Sequence, residues 1–389
     1  MRIRMFYHSL LSDWNHGNAH FLRGLTGQLI IRGHDVLVYE PADAWSRKNL
    51  IEDQGPEPIE EFRRIYPLLE SRLYDPGSID LQAELDGADL IIVHEWNDPE
   101  LVARIGEYRR TRDRCRLLFH DTHHRSVTKP EEMSRYDLSD YDGVLAFGAV
   151  IRDIYLEQEW TGRAWVFHEA ADVRLFRPMP GAPTEGDLVW IGNWGDDERT
   201  EELHEFLLEP VRSLGIDADV FGVRYPDHAI DALAECGMRY RGWLANYRVP
   251  QQFAAHRVTV HVPRRPYVEA LPGVPTIRPF EALACGIPLI SAPWEDCEHL
   301  FRPGEDFLIA RDGDQMKAQL RRLLNDHALA TRVVRNGRER ILARHTCGHR
   351  AEQLLGICRE MGLDTTALGQ FRTTTPTQAQ TQFDEGRRP

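Results

Sequence analysis

Short apolar runs alternate with longer stretches of helical periodicity along most of this chain. That alternation predicts βα units built around parallel sheets. Residues 2–8 read as a first strand, followed by the polar, glycine-bearing loop Ser12-Asp13-Trp14-Asn15-His16-Gly17-Asn18. Phe21, Leu25, Leu29 and Ile30 then recur close to helical spacing, so residues 20–32 form a helix that Gly33 ends. Residues 35–39, 89–94, 116–120, 143–147 and 164–167 continue the strand series, and His94 and His120 close two of them. In open α/β sheets ligands bind just past the carboxyl ends of the strands, so these histidines fall where chemistry is expected.

The segment Arg177-Pro178-Met179-Pro180-Gly181-Ala182-Pro183 interrupts the pattern and reads as a linker. A second series follows, with strands over 187–191, 218–221, 258–262, 288–291 and 307–310. Its helices fit residues 201–214, 249–255, 279–285, 314–325 and 328–345. The expected organisation is a first α/β domain over 1–177, a linker over 178–186, a second domain over 187–345 and a helix over 346–362. The stretch 363–389, rich in Thr, Gln and Pro, reads as disordered.

A chain of 389 residues, 42% hydrophobic and 28% charged, suits two domains with cores of their own. Its formal net charge of −14 argues against nonspecific nucleic-acid binding, which needs clustered Lys and Arg, but leaves room for a local basic pocket. The N-terminus lacks the apolar core of a signal peptide and no stretch is apolar enough to span a bilayer. The six cysteines form no CxxC pair, so reduced thiols in a cytoplasmic protein are expected.

The richest stretch is Thr276-Ile277-Arg278-Pro279-Phe280-Glu281-Ala282-Leu283-Ala284-Cys285-Gly286-Ile287-Pro288. Pro279 suits a first helical turn and Gly286 a helix end. The N–H groups at the start of such a helix favour a diphosphate, and Arg278 adds a fixed charge. Glu281 is placed to accept two ribose hydroxyls; the plainer alternative is a buried helix with a capping glutamate.

This segment resembles the R-x-FEA-x-A-x-G-x-P motif of group 1 (GT4-like) glycosyltransferases of the GT-B fold, and is most similar to their CgeB-like branch. Val189-Trp190-Ile191-Gly192-Asn193-Trp194 with Arg199 resembles that branch's strand, G-N turn and downstream arginine. Tyr240-Arg241-Gly242-Trp243-Leu244 resembles the turn that faces the base. His168 to Pro178 resembles the entry to the interdomain linker, and Asn15-His16-Gly17-Asn18 the first glycine loop. The likeness spans residues 1–360 by order of elements. It implies two Rossmann-like domains facing across a cleft, with a C-terminal helix returning to the first domain. The implied donor contacts are Gly17, Gly192, Asn193, Arg199, Trp243, Leu244, Arg278 and Glu281. Group 1 enzymes usually carry a further glutamate eight positions before the second; here that position is Gly273, and Glu269 in the preceding loop is the candidate substitute.

Leu117-Leu118-Phe119-His120-Asp121-Thr122-His123-His124 is the second dense stretch. A zinc site is one reading, but adjacent side chains on a strand point to opposite faces, so a compact site needs a tight turn. The resemblance assigns His120 to the reacting sugar, with Asp121 or His124 to orient it. His94 and Trp96, at another strand end, are acceptor candidates, Trp96 by stacking on a sugar ring. Asp217-Ala218-Asp219 is nominally DxD but opens a strand, and no G-x-G-x-x-G follows the first strand.

The resemblance implies a hexosyltransferase-like enzyme, retaining and metal-independent. It would move sugar from a nucleotide diphosphate sugar to a hydroxyl of a sugar, a polysaccharide or a small molecule. The rivals are a sugar-nucleotide 2-epimerase of the same fold and a noncatalytic sugar-nucleotide-binding protein.

Overall fold

A computed structural model describes residues 1–368 of the chain. These residues form two compact units. One comprises Met1–Phe147, Arg152–Phe167 and the chain from Arg350 onward; the other comprises Gly148–Ile151 and His168–His349.

The first unit is built on a parallel sheet of β1 (Arg2–Phe6), β2 (Asp35–Pro41), β3 (Ser71–Tyr74), β4 (Leu90–His94), β5 (Arg116–Asp121), β6 (Gly143–Ala146) and β7 (Ala164–Val166). The strand order is β3-β2-β1-β4-β5-β6-β7. Leu90, Ile91, Ile92 and Val93 are all fully buried, the continuous apolar run expected of a strand covered on both faces. Edge strand β3 is absent from the pattern of apolar positions because Ser71, Arg72, Leu73 and Tyr74 carry no such run; backbone pairing of Ser71 with Val38 defines it. The helix Cys347–Glu360 returns to this unit from Arg350 onward. Gln353 Nε2 donates to the Val166 carbonyl at 2.7 Å, and the Trp165 indole N–H donates to Glu360 at 3.0 Å. The first residues of the threonine-rich tail are described too: the Leu368 N–H donates to the Gly33 carbonyl at 3.1 Å. The rest of that expected disordered segment, 369–389, lies outside the described residues.

The second unit carries β8 (Gly186–Ile191), β9 (Ala218–Phe221), β10 (Arg239–Tyr240), β11 (His256–His261), β12 (Leu289–Ser291) and β13 (Leu308–Ile309), all parallel, in the order β10-β9-β8-β11-β12-β13. Leu188, Trp190, Val258, Val260 and Ile290 lie in its core. The unit begins at His168, ahead of the break expected after residue 177. Backbone hydrogen bonds explain the shift. The Ala171 N–H donates to the His345 carbonyl and the Cys347 N–H to the Ala171 carbonyl, both at 2.9 Å. The Pro- and Gly-rich stretch therefore runs within this unit.

Each sheet reverses its winding once, between β1 and β4 and between β8 and β11. Crevices at such reversals, outside the carboxyl ends of the strands, are where open α/β sheets bind ligands. Among the described residues no helix is long and apolar enough to cross a membrane.

Candidate active site

In the second unit β8 runs into the turn Gly192-Asn193-Trp194-Gly195. Gly195 has φ 101°, and a Cβ there would lie 2.9 Å from Nε of Arg199. A bare backbone at this point lets the arginine fold back over the turn. Arg199 Nη2 donates to Asn193 Oδ1 at 2.9 Å and Nη1 to the Val262 carbonyl at 2.8 Å. Arg264 Nη2 donates to the same Asn193 oxygen at 3.0 Å, while its Nη1 pairs with Glu198 at 3.0 Å. Burial, followed by the Arg264 charge and that of Arg278, pulls Arg199 down to about 9. Arg199 and Arg264 thus crowd one another past the ends of β8 and β11, with the Arg278 charge also felt at Arg199, an arrangement that an anion relieves.

Arg278 stands in the first turn of the helix Ile277–Cys285, which Gly286 closes at φ 75°. Thr276 precedes it at φ 58°, ψ −179°, a backbone region nearly reserved for glycine, and its side chain does not cap the helix. The first N–H groups therefore lack the usual side-chain cap. Glu281 is fully buried, ion-paired to Arg278, and accepts from Asn246 Nδ2 at 2.8 Å. Glu169, also buried, is pushed up to about 8 by burial and by the neighbouring Glu281 carboxylate, against the pull of Arg278.

The other donor-side candidates differ in setting. Trp243 and Leu244 follow β10 and are half-buried, with the indole Nε1 of Trp243 shielded and without a hydrogen-bond partner. Glu269 ends the helix Arg265–Glu269 and is exposed. Gly17 belongs to the first unit, where it is exposed and its carbonyl accepts from the His20 N–H at 3.2 Å. Residue 273 is Gly at φ 87°, and a Cβ there would lie 2.9 Å from Cys297 Sγ and from Glu298.

In the first unit three adjacent strands, β1, β4 and β5, lead to His8, His94 and His120. His120 is 1% exposed; its Nδ1 is 2.6 Å from the Tyr7 hydroxyl, and its Nε2 is shielded without a hydrogen-bond partner. Burial lowers it to about 3, so it is a neutral imidazole. His94 Nε2 lies 2.9 Å from Thr122 Oγ1, and burial holds it well below its ordinary value. His8 and His16 meet through their Nε2 atoms at 3.1 Å.

Asp121 follows His120 on the strand and so faces the other side of the sheet. It accepts from the Tyr155 hydroxyl and from the His123 N–H, each at 3.0 Å, and does not touch His120. His124 Nδ1 lies 2.9 Å from Thr128 Oγ1. Trp96 is 42% exposed and carries the Arg125 guanidinium 4.0 Å above its ring; beneath, Arg125 pairs with fully buried Glu95. Among the described residues no three His, Cys, Asp or Glu side chains converge as a metal-ligand set.

Sequence reasoning missed His8, His16, Arg125, His261 and Arg264. A histidine after each of three strands was a visible signal for His8. Nothing in the sequence marked Arg264, whose place depends on a shared contact with Asn193.

Residues 199–356 match a family model described as glycosyl transferase-like. No curated protein matches the chain by sequence. Among solved structures it is similar to sucrose-phosphate synthase from Thermosynechococcus elongatus, with 16% identity, TM-score 0.63, and 93% of this chain and 99% of that one covered. HepE from Anabaena, solved with UDP and glucose, is similar at 14% identity and TM-score 0.61, covering 92% and 100% of the two chains. An α-glucosyltransferase, solved with UDP and a DNA 13-mer containing an HMU base, matches at 12% identity and TM-score 0.66 over 92% and 99%. The architecture is the GT-B fold, two α/β units each on a parallel sheet.

Proposed function

We propose that this chain is a glycosyltransferase that takes sugar from a nucleotide diphosphate sugar, with UDP-sugars the first donors to test. The observation that carries this reading is the meeting of Arg199 and Arg264 on Asn193, with the Arg278 charge bearing on Arg199, all three arginines lying inside the stretch that matches a glycosyl transferase-like family. Such a cluster suits a diphosphate, whose charge grows as the sugar leaves. Glu281, one turn into the neighbouring helix, is assigned to the ribose, and Trp243 with Leu244 to the base. HepE and the α-glucosyltransferase, both solved with UDP, support the choice of uridine.

The acceptor belongs to the first unit. Neutral His120 and His94 and exposed Trp96 suit a hydroxyl-bearing molecule better than an ion. A sugar, a polysaccharide or a small alcohol all meet that description. The resemblance to group 1 enzymes supports retention of configuration and turnover without a metal.

Calorimetric titration with UDP, GDP and dTDP, followed by incubation with the corresponding sugars, tests the reading. Binding of UDP and slow release of free sugar from a UDP-sugar, unchanged by EDTA, are expected. Interconversion of one UDP-sugar into another makes the chain an epimerase; binding without any turnover makes it a sensor. Turnover that EDTA abolishes overturns metal independence.

A further inference from the structure

His261 closes β11 beside the arginine cluster, and its two nitrogens are treated differently by the fold. The ring is 4% exposed. Its Nδ1 lies 2.9 Å from Ser291 Oγ, and Ser291 Oγ donates its only proton to the Ala292 carbonyl at 2.7 Å. A serine hydroxyl that has spent its proton can only accept, so Nδ1 carries the hydrogen. The other nitrogen, Nε2, is then a bare lone pair, and it is shielded without a hydrogen-bond partner. Burial, with Arg199 and Arg278 adding to it, lowers the ring to about 3, so Nε2 stays unprotonated at neutral pH.

Arg199 offers the opposite defect. Both of its terminal nitrogens are engaged, Nη1 on the carbonyl of Val262, the residue next to His261, and Nη2 on Asn193. Its Nε–H is shielded and has no partner. A buried orphan donor and a buried orphan acceptor each cost free energy until something pairs with them. A phosphate oxygen can satisfy only the donor. A hydroxyl satisfies both, because it accepts with a lone pair and donates with its proton.

Resting on the donor reading above, we infer that His261 Nε2 and Arg199 Nε form a two-point site for one hydroxyl of the transferred sugar. The hydroxyl accepts from Arg199 and donates to His261. His261 thereby becomes a specificity determinant that tells a nucleotide sugar from its nucleotide and from a sugar lacking that hydroxyl. A site built to pair with a hydroxyl rejects the analogue without it, since the buried groups are then left unpaired.

The test titrates UDP, UDP-glucose and the series of UDP-glucose analogues lacking one sugar hydroxyl each, into the wild-type chain and into His261→Ala. One deoxy analogue is expected to bind wild type more weakly than UDP-glucose by about 30-fold or more, because both hydrogen bonds of that hydroxyl are lost, one of them to a charged guanidinium. In His261→Ala that penalty shrinks about five- to tenfold, the share of the neutral bond to His261, while the share held by Arg199 remains and UDP binds as before. Equal losses for UDP and UDP-glucose in the variant overturn the inference and assign His261 to the diphosphate or to the fold. So does a wild type for which every deoxy analogue equals UDP-glucose, a result that needs no variant to fold and leaves the donor reading standing. A wild type that binds neither UDP nor UDP-glucose overturns the donor reading and this inference with it.

Discussion

The two sheets end in opposite chemistry although they share a winding. At the carboxyl edge of the first, four imidazoles gather, those of His8, His16, His94 and His120. Burial holds His8 and His94 well below the ordinary value, His16 near 4 and His120 near 3. The carboxyls of the same edge are shifted the other way, Asp121 to about 6 and Glu95 to about 8, chiefly by burial. The edge is polar but carries little net charge. At the corresponding edge of the second sheet, Arg199, Arg264 and Arg278 stand together. One fold, used twice, thus offers imidazoles held neutral in one unit and a cluster of guanidiniums in the other, two of these balanced by Glu198 and Glu281. The overall charge of −14 reveals neither. What an edge binds is decided by which few side chains its strand ends present, not by the sheet or the bulk composition.

The largest expected effect comes from erasing the cationic edge. Arg199→Ala combined with Arg264→Ala should weaken UDP binding by about 100-fold or more, since each charge-assisted contact is worth roughly 1.5–3 kcal/mol. Calorimetry at two salt concentrations checks it, and unchanged affinity in a folded variant removes the contrast between the edges. His120→Ala should act on the other edge alone. Turnover is expected to fall about 10²-fold with UDP affinity unchanged, the signature of a contact made in the transition state. If activity falls only in step with a lowered melting temperature, His120 is a packing residue against Tyr7, Phe21 and Phe167.

The smallest effect concerns pH and sharpens the contrast in stability. A histidine that stays neutral in the fold but takes a proton near 6.5 when unfolded adds stability above pH 6.5, lost as pH falls. Glu95 and Asp121, raised in the fold, act in reverse, losing stability as pH rises from about 4 toward 8. Four imidazoles oppose two carboxyls, so the histidines prevail between pH 6.5 and 5. Amide exchange should therefore show β1, β4 and β5 losing protection at pH 5 before β8 and β11 do. Equal loss in both sheets would overturn the contrast between the four lowered imidazoles at the first edge and His261 at the second.

Read from the sequence alone, the βα alternation, the two-unit plan and the helix with Arg278 and Glu281 were all legible. Their physical signals are local: apolar runs of strand length, a proline in a first turn, a glycine at a helix end. Strands β3 and β10 were not, because short polar edge strands are defined by a neighbour's backbone rather than by their own residues. The start of the second unit at His168 was equally hidden, since the hydrogen bonds between Ala171 and the His345–Cys347 segment join residues far apart in the chain.

For the chemistry, the sequence determined which residue types stand at the strand ends. Only the tertiary structure decided their state. It turned Asp121 toward Tyr155 and away from His120, brought Arg264 to the oxygen that Arg199 already holds, and fixed the proton of His261 through Ser291. Those outcomes depend on desolvation and on partners from distant strands, and neither quantity exists until the chain has folded.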